Sequence, residues 1–312
     1  MVVLLDGATG TELERRGARM DMPLWSARAL VDDPALVRAI HRDYLLAGAQ
    51  VIATNTFRTH ARNLAAGGLA HEAGRLTRLA VALAREARDQ AAALRPDAAR
   101  AAIAGSMSPL EDCFAPERSP VRARALPEHR AIAADLAAAG CDLLLVETMG
   151  RVDEAVAACE AALATGLPTW LAVVGRHGGR LLGGEAFTDL VLALAPLPIG
   201  ALLVNCTQLA DLPAVLPALL AAAERRPGLA LGLYPHTGHQ DPERGWQTHA
   251  IDAEGFADRL AALALAHPRL ALVGSCCGST PEWTAALARR LHPAPADRAA
   301  GFAALDRLLA RA

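Results

Sequence analysis

Short apolar segments alternate with longer helical patterns along the whole chain of 312 residues. Eight of these segments are apolar on both faces, as parallel strands covered by helices are. The predicted strands are residues 2–6, 51–56, 101–107, 143–148, 169–175, 199–206, 229–234 and 270–275. This alternation predicts a parallel α/β fold with right-handed crossovers.

Capping residues mark the ends of several helices between these strands. Pro34–Ala47 follows two aspartates and ends at Gly48, and Pro281–Leu291 follows a Ser-Thr pair with proline in its first turn. Further helices are predicted at residues 127–139, 153–164 and 252–266. Because the eight units follow one another without a linker, they favour an α/β fold of the single (β/α)8 TIM barrel type, one domain over residues 1–312. An open, doubly wound sheet is the alternative.

A barrel fixes where a functional site is expected, because active sites on this fold lie at the carboxyl ends of the strands. Five predicted strands end in polar or cysteine residues, and these are Asp6, Asn55, Glu147, Cys206 and the pair Cys276-Cys277. We therefore expect these side chains to meet on one rim. Two long loops on the same rim, 110–126 and 235–251, are candidate lids.

Three of the six cysteines stand at strand ends, and this placement suggests a metal site. Cys206 closes one apolar run, and Cys276 with Cys277 stands where a strand passes into a helix. Three cysteines with one open position suit zinc and a substrate thiol. The alternative for the adjacent pair is two small buried residues at a tight turn. The remaining cysteines are expected to bind no metal: Cys113, Cys141 and Cys159.

Composition and charge exclude several classes of partner. The net charge is -2 and no basic tract is present, so no nucleic-acid partner is expected. Residues 190–210 carry no charge but are broken by two prolines and a glycine, so no membrane span is expected. The first residues lack a signal-peptide pattern, and six cysteines in so long a chain form no secreted disulfide framework. A reducing cytoplasm and small-molecule partners are expected, while the oligomeric state stays open.

His236 and His239 form a rival metal motif in the second long loop. Two histidines three positions apart in a glycine-containing loop typically face solvent. No compact third ligand completes a recognisable site beside them. We therefore do not expect a metal at this pair.

Five segments together resemble the homocysteine S-methyltransferase family. They are residues 5–13 (LDGATGTEL), 54–57 (TNTF), 147–149 (ETM), 205–206 (NC) and 274–278 (GSCCG). They occur in order from the first strand to the last helix pattern, so the resemblance covers nearly the whole chain. It implies a (β/α)8 barrel that holds zinc through Cys206, Cys276 and Cys277. It also implies that Asp6 and Glu147 help to bind homocysteine at its amino group or through neighbouring backbone.

The chain departs from the family pattern beside the paired cysteines. Ser275 and Ser279 stand where glycine and threonine are more usual. Neither is a metal ligand, so the zinc assignment is unaffected. The floor of the pocket can differ from that of other family members. Two simpler roles also stay open for the acids: Glu147 as a cap of the next helix, and Asp6 as an acceptor for the backbone amides of the turn at 7–10.

The implied reaction is attack of a thiolate on a methyl group bound to sulfur or nitrogen. A free thiol is mostly protonated at neutral pH, because its pKa is about 8.5. Coordination to zinc displaces that proton and leaves a thiolate. No separate base is then required.

The methyl donor is suggested by residues 21–27 (DMPLWSA), which resemble a segment of family members that use S-methylmethionine. We hypothesise that Trp25 offers an aromatic face to the sulfonium by cation–π attraction. The alternative is a tryptophan that packs the first helix against the barrel. Asn55 is predicted as a further substrate-binding residue.

The first hypothesis is therefore a zinc-dependent methyltransferase that moves a methyl group from S-methylmethionine, or S-adenosylmethionine, to homocysteine. Within the same class, betaine or another onium donor and a different thiol or selenol acceptor are the alternatives. From other classes, a zinc- and thiol-binding protein without turnover stays open. A zinc hydrolase or lyase is disfavoured, because three thiolates make the metal a weak Lewis acid.

Overall fold

Eight parallel strands form one sheet in the computed structural model, which describes residues 1–241, 245–247 and 251–310. The strands are β1 Val3–Leu4, β2 Val51–Ala53, β3 Ala102–Met107, β4 Leu143–Met149, β5 Thr169–Val173, β6 Ala201–Gln208, β7 Ala230–His236 and β8 Leu270–Val273. Each overlaps one predicted strand, so the predicted alternation is confirmed.

The sheet closes on itself between its first and second strands. Neighbours follow the order β1-β8-β7-β6-β5-β4-β3-β2, all in parallel register. A parallel bridge between Leu5 and Val51 joins the two ends. Next to it, the Asp6 amide donates to the Val51 carbonyl at 3.0 Å and the Gln50 amide to the Leu4 carbonyl at 2.7 Å. The prediction of a barrel is confirmed, and the alternative of an open, doubly wound sheet is wrong.

Helices cover the outside of the barrel. In the described part of the chain they are α1 Thr9–Arg15, α2 Ala29–Asp32, α3 Pro34–Ala47, α4 Ala61–Ala66, α5 Ala73–Leu94, α6 Arg122–Ala138, α7 Val152–Leu163, α8 Phe187–Ala193, α9 Leu212–Ala223, α10 Ala253–Ala266, α11 Pro281–Leu291 and α12 Pro295–Leu309. The caps place α3 and α11 at their predicted bounds. The predicted start of α6 is wrong by five residues. Pro127 lies inside that helix, where its missing N–H removes one hydrogen bond without ending the helix.

Two apolar layers hold the barrel. The outer layer lies between strands and helices, and the inner layer fills the barrel with residues such as Leu145, Trp170 and Leu203. Phe302 and Leu305 of α12 belong to the same inner cluster and contact the strand beginnings. Apolar packing of α12 therefore helps to close the amino-terminal end of the barrel.

Two short antiparallel hairpins extend the loops at that carboxyl end. One pairs Gly175–Arg176 with Arg180–Leu181, and the other pairs His239–Asp241 with Gly245–Gln247. The second lies in the predicted lid at 235–251. The uncharged stretch 190–210 is divided between the end of α8, a turn and β6. Among the described residues, no helix is long and apolar enough to cross a membrane.

Candidate metal centre

Three cysteines meet at the carboxyl end of the barrel. Cys206 lies on β6, and Cys276 and Cys277 follow β8. The Sγ atoms of Cys206 and Cys276 are 2.7 Å apart, those of Cys206 and Cys277 3.9 Å, and those of Cys276 and Cys277 4.0 Å. In the described parts of the chain, no other three His, Cys, Asp or Glu residues bring their ligand atoms within 4.8 Å of one another. The predicted meeting of these three cysteines is confirmed, and this set of thiols fits a metal ion.

Backbone contacts hold the turn that carries the adjacent cysteines. The Thr237 amide donates to the Cys277 carbonyl at 3.0 Å, and the Cys276 amide donates to the Pro235 carbonyl at 2.9 Å. The Gly278 amide donates to Thr11 Oγ1 at 2.9 Å, and Gly278 has a φ of 83° that suits glycine. The end of β7 and the start of α1 therefore fix the thiols from two sides.

The three thiols share negative charge unevenly. Hydrogen bonding with the other two sulfurs, together with burial, raises the pKa of Cys206 well above its usual value. Hydrogen bonds received from Cys206 and Cys276 lower the pKa of Cys277 well below its usual value. Like charges this close oppose further ionisation, so a cation is needed to hold all three as thiolates. A metal ion held by the three cysteines would supply that charge.

Glu147 lies beside the cysteines at the carboxyl end of β4. Ser106 Oγ donates to its Oε1 at 2.5 Å and Tyr234 Oη donates to its Oε2 at 3.2 Å. Burial raises the pKa of Glu147 to about 7, against the two hydrogen bonds, which lower it. The simpler role of helix cap is wrong, because the N-cap residue of α7 is Arg151 and the Glu147 carboxylate bonds elsewhere.

Asp6 lies on the opposite side of the same mouth, after β1. Its Oδ2 accepts a hydrogen bond from the Ala53 amide at 2.9 Å. Burial, and to a lesser extent the charge of Glu147, raises the pKa of Asp6 well above its usual value. The turn at 7–10 is held differently: Ser279 Oγ accepts from the Ala8 amide and Tyr44 Oη donates to the Ala8 carbonyl. The simpler role for Asp6 is therefore not seen.

Asn55 and Trp25 belong to one packed unit at the rim. Asn55 Nδ2 donates to the Ser26 carbonyl at 2.9 Å, so the amide holds the backbone next to Trp25. The indole ring covers Gly10 of α1 so closely that a Cβ there would lie 2.4 Å from a ring carbon. It also meets the Phe57 ring edge-on, with 6.2 Å between centroids. Trp25 thus packs α1 against the barrel, while part of its side chain stays exposed.

Strained backbone marks the same region. The non-glycine residues with positive φ in the described chain are Trp25, Thr148 and Cys206, at 45°, 62° and 45°. Asn205 holds Thr148 from both sides, since its Oδ1 accepts from the Thr148 amide at 3.2 Å and its Nδ2 donates to the Thr148 hydroxyl at 2.8 Å. Such conformations persist where the surroundings enforce them and cluster at functional sites.

The remaining cysteines stay outside the cluster of three. Cys141 and Cys159 are buried beside and within helices, as expected. Cys113 is also buried, and this raises the pKa of its thiol to about 12. It lies near enough to Cys277 for the two charges to interact, which its position in a long loop did not predict.

His236 differs from expectation, because it lies at the end of β7 and is only 8% exposed. The prediction that it faces solvent is wrong. It belongs to no described group of three metal-ligand residues, and its charge lowers the pKa of Cys277. The side chain of His239 lies outside the part of the chain that the structure describes.

Sequence reasoning missed four residues of the site: Ser106, Tyr234, Thr148 and Asn205. All four stand at the carboxyl ends of strands β3, β7, β4 and β6. The rule that found Glu147 applied to them equally, since polar residues at these strand ends face the mouth of a barrel. Their uncharged side chains gave a weaker signal than an acid or a cysteine.

Comparison with known proteins adds three findings. The family model described as "Homocysteine S-methyltransferase" matches residues 3–291. The chain is similar to homocysteine S-methyltransferase of Escherichia coli strain K12, with 35% identity over 303 residues that cover 93% of this chain and 95% of that protein. It is also similar to crystal structures of the homocysteine methyltransferase MmuM from E. coli. The oxidized form has a TM-score of 0.81 at 32% identity, covering 93% and 96% of the two chains. The metallated form has a TM-score of 0.79 at 33% identity, covering 92% and 96%.

Proposed function

Because the chain belongs to the homocysteine S-methyltransferase family, we propose that it transfers a methyl group from S-methylmethionine to the thiol of homocysteine. The observation that carries the proposal is the cluster of three cysteines with Glu147 and Asp6 beside it. S-adenosylmethionine is a second sulfonium donor with the same reactive group. Each turnover on S-methylmethionine gives two methionines, one from the acceptor and one from the demethylated donor.

We assign zinc to the cysteine cluster. In tetrahedral zinc sites with Zn–S distances of about 2.3 Å, sulfur atoms lie about 3.8 Å apart. Two of the observed separations, 3.9 and 4.0 Å, are close to this value, and the third, 2.7 Å, would lengthen by about 1 Å on binding. Three cysteine ligands leave the fourth position for the substrate. When bound, zinc would lower the pKa of the homocysteine thiol and keep its sulfur as a thiolate.

Glu147 and Asp6 are proposed to bind the ammonium group of homocysteine. Burial raises the pKa values of both carboxyl groups. An ammonium group placed between them supplies the missing charge and favours their ionised forms. Ser106 and Tyr234 fix the direction of the Glu147 carboxylate, since each of its oxygens already accepts one hydrogen bond.

The methyl transfer itself balances without a further catalytic group. A new C–S bond forms between the acceptor sulfur and the methyl carbon. The old C–S bond breaks, and its electron pair stays on the donor sulfur, which becomes a neutral thioether. We propose that Trp25 presents its ring to the sulfonium before transfer. Asn55 supports that ring through the Ser26 carbonyl.

The test uses doubly labelled substrates. Homocysteine labelled with 15N and S-methylmethionine with two trideuterated sulfonium methyl groups are mixed with the zinc-loaded protein. Mass spectrometry should find methionine that carries both labels. The Cys276→Ala variant should give none, whereas Cys141→Ala, which removes a buried thiol outside the cluster, should retain the activity. Doubly labelled methionine at the wild-type rate from Cys276→Ala would contradict the proposal, and so would its absence with wild-type protein.

Two broader assignments accompany this function. We propose that residues 1–312 act as one domain, because α12 packs Phe302 and Leu305 into the barrel interior. We also propose a reducing compartment such as the cytoplasm, because three neighbouring thiols must stay reduced to bind zinc.

A further inference from the structure

Arg58 is a partly buried cation near the site, and no carboxylate in the described part of the chain pairs with it. It follows Phe57 in the loop between β2 and α4. Its Nε is buried without a hydrogen-bond partner among the described residues, and none of the described carboxylates forms an ion pair with it. Arg62, four positions later, pairs with both Glu111 and Glu128. Because Nε is buried and no described carboxylate neutralises the guanidinium, an anion bound there would supply the missing partner.

The loop holds Arg58 in a fixed position. Asn63 Nδ2 donates to the Arg58 carbonyl at 2.9 Å, and Ser108 Oγ donates to the Phe57 carbonyl at 2.6 Å. The guanidinium carbon lies 5.5 Å from the centre of the Phe57 ring, within the range of a cation–π contact. Little further ordering is therefore needed when a ligand arrives, which favours binding.

A continuous set of contacts connects Arg58 to the cysteines. The Phe57 ring that faces Arg58 also meets Trp25, and Trp25 covers Gly10 of α1. The next residue of α1 is Thr11, whose Oγ1 accepts a hydrogen bond from the amide of Gly278. Gly278 directly follows Cys277. The charges of Arg58 and Cys277 both alter the pKa of the buried Cys113 thiol, which indicates that this thiol lies near both residues. Contacts therefore run from the guanidinium through the pair Trp25–Phe57 and α1 to the turn that carries Cys277.

We propose that Arg58 binds the α-carboxylate of the methyl donor while the pair Trp25–Phe57 lines its sulfonium. This inference rests on the proposed function and adds the basis of donor selection. A guanidinium offers two parallel N–H donors to a carboxylate, and no carboxylate of the described residues occupies those donors of Arg58. An unpaired cation would repel a donor that carries only a sulfonium charge. The arrangement therefore selects donors with a carboxylate at the far end from the reactive methyl.

The test compares two donors and three variants. The donors are S-methylmethionine and its decarboxylated analogue, (3-aminopropyl)dimethylsulfonium. The variants are Arg58→Gln, Arg58→Lys and the control Arg118→Gln, which removes an exposed arginine from a neighbouring loop. For S-methylmethionine, we expect Arg58→Gln to lower kcat/KM about 10- to 100-fold through the donor KM, as a lost charge-assisted hydrogen bond does. Arg58→Lys should lose less, and Arg118→Gln should match the wild type.

The decarboxylated donor separates the proposed contact from a general structural effect. We expect its kcat/KM to be unchanged or improved in Arg58→Gln, with the KM for homocysteine unchanged throughout. An equal loss with both donors, or a rise in the KM for homocysteine instead, would overturn the assignment. If wild-type protein forms no doubly labelled methionine, the proposed function fails by itself. If the wild type is active and Arg58→Gln retains its kcat/KM for S-methylmethionine, this inference alone fails.

Discussion

Tyr234→Phe offers a quantitative test of how the site binds its acceptor. The phenol donates to Glu147 Oε2 at 3.2 Å, and this hydrogen bond lowers the pKa of a carboxyl group that burial raises to about 7. Removing the donor leaves the ring in place, so the change affects mainly the carboxylate. A hydrogen bond to a charged group is worth about 1.5 kcal/mol, which corresponds to about one pKa unit. The pKa of Glu147 should therefore rise to about 8 in the variant.

The sign and size of the kinetic effect follow from the ionised fraction. If the carboxylate binds the homocysteine ammonium, kcat/KM for homocysteine follows the ionised form of the free enzyme. At pH 7 that fraction falls from about one half to about one tenth, so the variant should be about five-fold slower. The deficit should grow to about nine-fold at pH 6 and shrink to about 1.1-fold at pH 9.

The assay measures kcat/KM for homocysteine from pH 6 to pH 9 for wild type and variant at saturating donor. The ratio of the two enzymes cancels ionisations that both share, including those of the substrate thiol. Ser106→Ala, which removes the other hydrogen bond to Glu147, should give a ratio with the same pH trend. A ratio that is constant across this range would refute the reasoning, because it would show that Tyr234 does not act through the ionisation of Glu147.

Three further outcomes are expected. A chelator should remove the metal and the activity together, and zinc should restore activity only under reducing conditions. Metal analysis and rate measurements check both outcomes. Full activity in metal-free protein would contradict the zinc assignment. Trp25→Ala should raise the donor KM about 5- to 30-fold, because it removes the proposed cation–π contact with the sulfonium. An unchanged donor KM would exclude a role of Trp25 in donor binding. His41 is fully buried, and burial lowers its pKa to about 4. The contribution of the neutral side chain to the free energy of unfolding is therefore complete above pH 6.5 and is lost as the pH falls toward 4. Urea denaturation should therefore show that the wild type loses about 1.8 kcal/mol more stability between pH 7 and pH 5 than His41→Gln, whereas equal losses would contradict the assigned pKa.

The fold was predictable because its signals are local and repeated. Each of the eight strands is a short apolar run, and proline, threonine and glycine caps mark α3 and α11 at their bounds. Pro127 shows the limit of such signals. A proline is compatible both with the first turn of a helix and with a later position, and only packing of the preceding turn decides between them.

The site was predictable wherever chemistry is concentrated in a residue type. Cysteines and acids at strand ends identified Cys206, Cys276, Cys277, Asp6 and Glu147 as one rim, and the structure brings the cysteines together and places both acids beside them. The positive φ of Cys206 and the supporting hydrogen bonds could not be predicted. They depend on which side chains face each other across neighbouring strands, and that register follows from closure of the barrel.

Charge balance explains why these residues share one mouth. Three thiols and two buried carboxyl groups bring more potential negative charge than a buried site can hold. Burial raises the pKa values of Asp6 and Glu147, and the neighbouring negative charges add to that effect. Each proposed ligand brings a positive group: a metal ion, an ammonium and a sulfonium. The sulfonium charge disappears on methyl transfer, so the product donor loses the attraction that the substrate donor had. The same negative charges disfavour the carboxylate of the methyl donor near the thiols. A donor that is an amino acid therefore needs a cation that binds its carboxylate away from the cysteines. The Arg58 guanidinium, which faces the Phe57 ring of the pair Trp25–Phe57, is the cation proposed for that carboxylate.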